Sequence, residues 1–318
     1  MTEFSTLVDS ADWQQDFERR LLASYAAAGL GAAAAERRLE GVRDSVGGWT
    51  VAEITDAGAR VGYVAVSVAD DKGTPAGRIG DLRVDAPSTG RGHEQAARAW
   101  AEAWCAERGA ARVDVRLNEP ADAVFDGYAV LGQTRMRPIS SPPAPLDSVT
   151  ARPMTEAEYP EWLSAEKAAY VGDIVRAGAL SPEEAVRKSD RDFAELLPEC
   201  LATPDNTLLV LEAAGEEHIG TGWLKHGFLP GVTYGYSLYV HEQHRGKGYG
   251  RAAMAVGEQA TLAAGDSALM FTVWGGNEVA MNLYESAGYR VLEESRSLGL
   301  PRTAESGSGS GPGPGSAS

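Results

Sequence analysis

Residues 236–254, YSLYVHEQHRGKGYGRAAM, decide which fold this chain can adopt. Apolar residues 238–240 predict a strand that leads through a glycine-rich turn into a helix of small residues. Gly246, Gly248 and Gly250 leave the main chain of this turn bare, so a ligand can approach it closely. The first N–H groups of a helix lack partners within the helix, and its dipole favours an anion there. We therefore expect the turn to bind a pyrophosphate.

Two familiar phosphate-binding motifs do not fit this turn. The chain has no G-x-x-x-x-G-K-[ST] string, and Arg251 occupies the last glycine position of G-x-G-x-x-G. Arg245, Gly248 and Gly250 instead form R-x-x-G-x-G, which resembles the acyl-CoA signature of the GNAT superfamily of N-acetyltransferases. The resemblance implies a pyrophosphate site made of Arg245, Gly246, Lys247, Gly248, Tyr249, Gly250 and Arg251.

A second motif lies downstream, where that family has one. An apolar segment, residues 268–274, predicts a strand, and NEVAMNLYESAGYRV follows at residues 277–291. Asn277 and Tyr284 are seven residues apart, so a helix places them on one face. This pattern resembles the family's N-x(6)-Y. The resemblance implies that Asn277 contacts the CoA arm and that Tyr284 is the general acid.

The resemblance also implies a fold and a reaction. We expect an α/β protein of two tandem GNAT-like domains, each a splayed mixed β-sheet flanked by helices. The main chain of Leu238, Tyr239 and Val240 would hold pantetheine, and the Val240 N–H would stabilise an oxyanion. Acetyl-CoA would donate its acetyl group directly to a primary amine of a small molecule or peptide, with Tyr284 protonating the departing sulfur.

The sequence does not identify the general base or the acceptor. His241, Glu242 and His244 follow the strand and are expected in a solvated loop, so a water chain or the amine's own equilibrium would supply the free amine. Tyr170 with Asp173, Glu183 and Glu184 could meet a cationic amine, although core packing and a solvated helix face are the stronger explanation of them.

The chain repeats its pattern at an offset of 156 residues. LRVDAPSTGRG, residues 82–92, aligns with LYVHEQHRGKG, residues 238–248. In the first copy Thr89 replaces Arg245, Glu94 replaces Gly250, and Phe125 replaces Tyr284; the chemistry is therefore expected only in the second copy. The predicted organisation is a degenerate domain (1–139), a proline-rich linker (140–148), a catalytic domain (149–304) and a disordered Gly/Ser/Pro tail (305–318).

Composition limits the classes of partner. The net charge of −16 disfavours nucleic acid and anionic membranes and attracts cations. No apolar run is long enough to span a membrane, and the first residues do not resemble a signal peptide. Cys105 and Cys200 are the two cysteines, and the five histidines lack metal-ligand spacing, so no metal is expected. We expect a cytoplasmic monomer or homodimer; a non-catalytic acyl-CoA-binding regulatory or interaction protein is the alternative.

Overall fold

The computed structural model describes residues 1–46, 48–71, 73–118, 123–143, 149–176, 178 and 180–301. The described helices are α1 (Ala11–Ala28), α2 (Ala32–Val46), α3 (His93–Glu107), α4 (Tyr159–Arg176), α5 (Pro182–Leu196), α6 (Tyr249–Ala263) and α7 (Glu278–Ser286). The strands are β1 (Thr2–Thr6), β2 (Thr50–Asp56), β3 (Ala59–Asp71), β4 (Thr74–Val84), β5 (Arg112–Leu117), β6 (Ala129–Pro138), β7 (Thr150–Pro153), β8 (Asn206–Ala213), β9 (Glu216–Leu229), β10 (Val232–Val240), β11 (Ala268–Trp274) and β12 (Arg290–Gly299). The predicted mixed α/β fold is confirmed.

The first compact unit combines three segments, Met1–Leu7, Thr50–Asp114 and the chain from Leu298. Its strands follow the order β1-β2-β3-β4, each antiparallel to the next. Helix α3 buries Ala97, Ala101 and Cys105 completely, at the spacing that brings residues to one helix face. These residues form the buried face of α3.

The second compact unit comprises Val8–Trp49 and Val115–Ser297. Its strand order is β12-β6-β11-β10-β9-β8-β7. Strands β10 and β11 are parallel, whereas the other neighbours are antiparallel. Strand β6, from the first half of the sequence, lies between β11 and β12. The last strand, β12, therefore joins this sheet by pairing with β6 and not with β11.

Helices α1 and α2 complete the core of the second unit. Tyr25 and Leu39 pack with Met270 and other apolar side chains of this sheet, all fully buried or nearly so. The Tyr25 hydroxyl donates to Glu293 Oε1 at 2.8 Å, and Arg38 Nη2 lies 2.6 Å from Glu293 Oε2. Burial opposes ionisation of Glu293, but its arginine neighbours outweigh burial and lower its pKa. Helices α1 and α2 thus anchor on a buried, paired carboxylate.

The predicted division of the chain at residues 140–148 stays a prediction. Residues 144–148 of that linker and the predicted tail, residues 305–318, lie outside the described residues. The two compact units do not follow the two halves of the sequence, because residues 8–49 and 115–138 belong to the second unit.

The internal repeat is visible in backbone geometry. Gly90 and Gly92 have φ of 76° and 87°, and Gly246 and Gly248 have φ of 78° and 85°. Each pair leads directly into a helix, α3 or α6. A left-handed backbone favours glycine, so both turns require this residue. Both copies therefore preserve the same turn.

Gly220 of β9 allows an unusually close approach of β10. A Cβ atom at Gly220 would lie 2.0 Å from the Tyr239 carbonyl oxygen, whereas a Cβ at Gly222 meets its neighbours at 3.9 Å or more. We therefore expect Gly220→Ala to lower the free energy of unfolding by about 1–3 kcal/mol through overpacking. Urea denaturation followed by tryptophan fluorescence measures this change, with Gly222→Ala as the matched control. Equal effects of the two substitutions would contradict the prediction.

Candidate active site

Strands β10 and β11 pair along only part of their lengths. Their parallel register runs from Val232 and Ala268 to Gly235 and Phe271. Beyond Gly235, β10 continues beside β9 alone, after a register shift between Gly235 and Ser237. The predicted splay beside residues 238–240 is therefore present, and it opens a gap on one side of β10.

A cavity of about 1400 Å³ lies in this unit and includes the gap. Its walls come from α4, α5, β8, β9, β10, β11, α6 and α7. Of the residues predicted for the site, it is lined by Leu238, Tyr239, Val240, Arg245, Gly246, Gly248, Tyr249, Gly250, Arg251, Asn277 and Tyr284. One cavity thus joins both predicted motifs, which are separated in sequence by a helix and a strand.

The Val240 N–H points into the gap. His241 N–H donates to the Ile219 carbonyl of β9 at 2.9 Å, and Val240 is aligned with Gly220. Successive residues of an antiparallel strand direct their N–H and C=O groups to opposite sides, so Val240 directs its own away from β9. Consistently, the Val240 carbonyl accepts a hydrogen bond from Arg245 Nε at 3.1 Å. Val240 is therefore placed to donate to a group in the cavity.

The glycine turn offers main-chain donors at the head of α6. Among the described residues, no partner is found for the N–H groups of Gly246, Gly248 and Gly250. The Arg245 guanidinium lies 5.4 Å from the centroid of the Tyr239 ring. Lys247, by contrast, lies 6.0 Å from the Tyr249 ring and does not line the cavity as the structure describes it. The turn thus presents unpaired donors and positive charge, which suits a pyrophosphate.

In the equivalent turn of the first unit, the Glu94 side chain binds a main-chain N–H group of the turn. Glu94 Oε1 accepts the Gly90 N–H at 3.0 Å. The other oxygen, Glu94 Oε2, is buried without a hydrogen-bond partner in the described part of the chain. The first copy therefore supplies an internal carboxylate where the second copy has Gly250.

Tyr284 lies in the second motif and packs against Phe271 and Tyr289, with ring centroids 4.1 Å and 6.3 Å away. Burial raises the pKa of its phenol to about 12, which keeps it protonated at neutral pH. Asn277 caps α7, because its Oδ1 accepts the Ala280 N–H at 3.2 Å. The predicted tyrosine is thus available as a proton donor, while the asparagine also has a structural role.

Glu166 of α4 is a cavity residue that sequence reasoning missed. Burial, and after it the negative charge of Asp173, raises the pKa of Glu166 to about 7. The Ser237 hydroxyl and the Trp162 indole N–H lie beside the carboxyl and oppose this change. Neither Ser237 Oγ nor Trp162 Nε1 reaches hydrogen-bonding geometry with any group that the structure describes, although both are buried. The carboxyl therefore titrates near neutral pH at the edge of the cavity.

Aromatic rings surround the same end of the cavity. Tyr170 lies 6.3 Å from Trp274, and Tyr236 stacks on Trp223 at 4.3 Å. The Tyr170 hydroxyl donates to Asp192 Oδ2 at 2.8 Å. Tyr170 and Asp173, which were predicted as possible acceptor contacts, both line the cavity.

The two glutamates predicted with them do not line the cavity. Glu184 forms the capping box of α5 with Ser181, accepting the Ser181 N–H at 3.0 Å. Glu183 lies in the same first turn of the helix, also away from the cavity lining. Their positions reflect helix capping, which favours acidic residues at an N-terminus.

The described residues contain no cluster of histidine, cysteine, aspartate and glutamate side chains that could hold a metal ion. They also include no helix with the length and apolar character needed to cross a bilayer.

The chain is similar in sequence to known proteins. The model of the acetyltransferase (GNAT) family matches residues 174–289. YycN of Bacillus subtilis strain 168, named as an uncharacterized N-acetyltransferase, is 31% identical over 147 residues, which are 45% of this chain and 93% of YycN. YdgE of the same organism, also named as an uncharacterized N-acetyltransferase, is 24% identical over 144 residues, or 44% of this chain and 90% of YdgE.

Two solved structures resemble nearly the whole chain. A GCN5-related N-acetyltransferase from Sphaerobacter thermophilus is 17% identical, with a TM-score of 0.49 over 93% of this chain and 94% of that one. A tandem GNAT protein from the clavulanic acid biosynthesis pathway is 15% identical, with a TM-score of 0.43 over 94% of this chain and 98% of that one.

The raised pKa of Glu166 makes stability depend on pH. The folded protein binds the Glu166 proton more tightly than the unfolded chain, whose carboxyl has an ordinary pKa of 4.5, so Glu166 destabilises the fold as pH rises from 4.5 to about 7. Relative to Glu166→Gln, the wild type should lose on the order of 3 kcal/mol of unfolding free energy across this range, at 1.36 kcal/mol per pKa unit. Urea denaturation at several pH values tests this, with Glu161→Gln on the same helix as the control. A constant difference between wild type and Glu166→Gln would refute the prediction.

Proposed function

Because the chain belongs to the acetyltransferase (GNAT) family, we propose that its second unit transfers an acetyl group from acetyl-CoA to a primary amine of a small molecule or peptide. The observation that carries this proposal is the single cavity lined by both the glycine turn and Tyr284. A diphosphate-binding end and a proton donor in one cavity are what a CoA-dependent acyl transfer requires.

The residues of the cavity suit CoA along its length. The N–H groups of Gly246, Gly248 and Gly250 would hold the pyrophosphate, helped by the charges of Arg245 and Arg251. The main chain of residues 238–240 has lost its neighbour β11 and would bind pantetheine amides as an added strand does. Lys247 would act through charge alone, because it lies outside the cavity lining among the described residues.

Each catalytic role corresponds to a group in the gap. When bound, acetyl-CoA supplies an activated acyl group as a thioester. The Val240 N–H points into the gap and would donate to the carbonyl oxygen as negative charge develops there. Tyr284 would donate its phenolic proton to the departing sulfur, and Asn277 would orient the CoA arm near the start of α7.

The first unit is proposed to have lost CoA binding. Glu94 already occupies the donor that its turn would offer to a phosphate, and it adds negative charge there. The intact turn and Tyr284 favour catalysis in the second unit over a purely regulatory acyl-CoA-binding role, since a sensor has no use for a buried acid. Tyr284 is thus the residue that distinguishes a catalytic role from a regulatory one.

The carboxylate of the first copy can be transplanted to test the cofactor site. Gly250→Glu should place a carboxylate near the Gly246 N–H, as Glu94 lies on Gly90, and weaken acetyl-CoA binding at least about 100-fold through like-charge repulsion. Gly250→Gln is the matched control, because both side chains bring the same Cβ to 3.1 Å from Leu283. Isothermal titration calorimetry measures both affinities. Equal affinities for the two variants would contradict the proposed pyrophosphate position.

The acid role of Tyr284 has its own test. Tyr284→Phe removes the phenolic proton while keeping the ring that packs on Phe271, so kcat should fall roughly ten- to a thousand-fold. Acetyl-CoA affinity should change little, because the hydroxyl acts on the leaving group. Steady-state thiol release and calorimetry give the two quantities. An unchanged kcat would remove Tyr284 from the mechanism.

A further inference from the structure

We infer that Glu166 is the general base that takes a proton from the ammonium group of the acceptor, and that the acceptor is a primary amine carried on an aromatic or other flat apolar group. This inference rests on the proposed function and assigns the step that the glycine turn and Tyr284 leave open.

The position of Glu166 carries the first part. Glu166, on α4, lines the same cavity as Val240 and Tyr284. Ser237 of β10, three residues before Val240, also lines the cavity, and its hydroxyl lies beside the Glu166 carboxyl. The carboxyl and hydroxyl together suit an ammonium or the water that relays its proton.

The titratable side chains beside Glu166 are ion-paired or stay neutral near pH 7. On α4, Asp173 is paired with Arg176 at 2.5 Å. On α5, Asp192 is paired with Lys188 and accepts the Tyr170 hydroxyl. Burial raises the pKa values of the titratable neighbours Tyr170, Tyr234 and Tyr236, so these phenols stay neutral. Glu166 is thus a base whose carboxylate form is available at pH 7 but is not strongly stabilised, which favours proton transfer.

The walls around Glu166 carry the second part. Tyr170, Tyr236, Phe193, Trp223 and Trp274 line this end of the cavity. Aromatic faces attract a cation and at the same time bury flat apolar groups. An arylalkylamine therefore matches both the carboxyl and the rings.

The proposed acetyl transfer moves two protons from the ammonium nitrogen and replaces the C–S bond with a C–N bond. Glu166 takes one proton from the ammonium, and the freed nitrogen lone pair forms the C–N bond to the acetyl carbon. The C–S bond breaks, and its electron pair leaves on sulfur, which takes the Tyr284 proton. The second nitrogen proton passes to the Tyr284 phenolate, and Glu166 releases its proton to water. The net products are the N-acetyl amine, CoA thiol and one proton.

The probe for the test is 2-phenylethylamine, assayed with acetyl-CoA by thiol release across a pH series. For the wild type, kcat/KM should rise with pH through a midpoint of about 7 and then level off. In Glu166→Gln the rise of kcat/KM centred at about pH 7 should disappear, and kcat/KM near neutral pH should fall at least about 100-fold. The kcat/KM of this variant should instead keep rising with pH toward the pKa of the free amine, about 10. Glu161→Gln, which removes an exposed carboxyl of the same helix, should behave as wild type.

A second variant keeps the test informative if Glu166→Gln does not fold. Asp173→Asn removes the like charge that raises the Glu166 pKa, so the midpoint of the wild-type limb should move to lower pH. A limb that persists in Glu166→Gln, an unmoved midpoint in Asp173→Asn, or no acetylation of 2-phenylethylamine by a wild type that binds acetyl-CoA would overturn the inference alone. Failure of the wild type to bind acetyl-CoA in calorimetry would instead remove the proposed function itself.

Discussion

The separation of β10 from β11 is the constraint on which the site depends. Both strands can leave each other because each keeps a partner on its far side: β10 pairs with β9 to Val240, and β11 pairs with β6 along its whole length. The backbone groups that face the gap are thereby left without a strand, and such groups need partners. One is satisfied internally, where Arg245 donates to the Val240 carbonyl. The remaining donors give the second unit a main chain prepared for an extended ligand.

The two copies of the glycine turn show how little separates an anion site from a closed turn. Backbone geometry is nearly the same in both, since the paired glycines differ in φ by a few degrees. A donor at the head of a helix can be satisfied by a side chain or by a ligand, and the two options exclude each other. In the first unit Glu94 takes the Gly90 N–H. In the second unit Gly250 has no side chain to offer, so the glycine N–H groups of the turn, as the structure describes them, stay open to an external anion.

Local sequence patterns predicted the parts of the site that local interactions determine. The apolar runs predicted the end of β10 and the limits of β11, the glycines indicated the turn before α6, and Asn277 begins α7 as a helix cap. The roles assigned to these residues toward CoA remain predictions. The sequence could not reveal Glu166, because α4 reads as an ordinary surface helix. The raised pKa of that carboxyl comes chiefly from burial, which only the tertiary structure creates, and then from Asp173 of the same helix.

The position of β6 was also beyond sequence reasoning, since nothing in residues 129–138 names their partners. It has a consequence for how the polypeptide is made. Strand β6 leaves the ribosome before β11 and β12, its two partners, have been synthesised. Until then both of its edges are bare, and bare edges invite pairing with other chains. Helices α1 and α2 likewise lack their core partners until Met270 and Leu292 have been synthesised. The nascent N-terminal half therefore exposes these strand edges and apolar helix faces until the second half is made, and the acidity of the whole chain would help to keep neighbouring copies on a polysome apart.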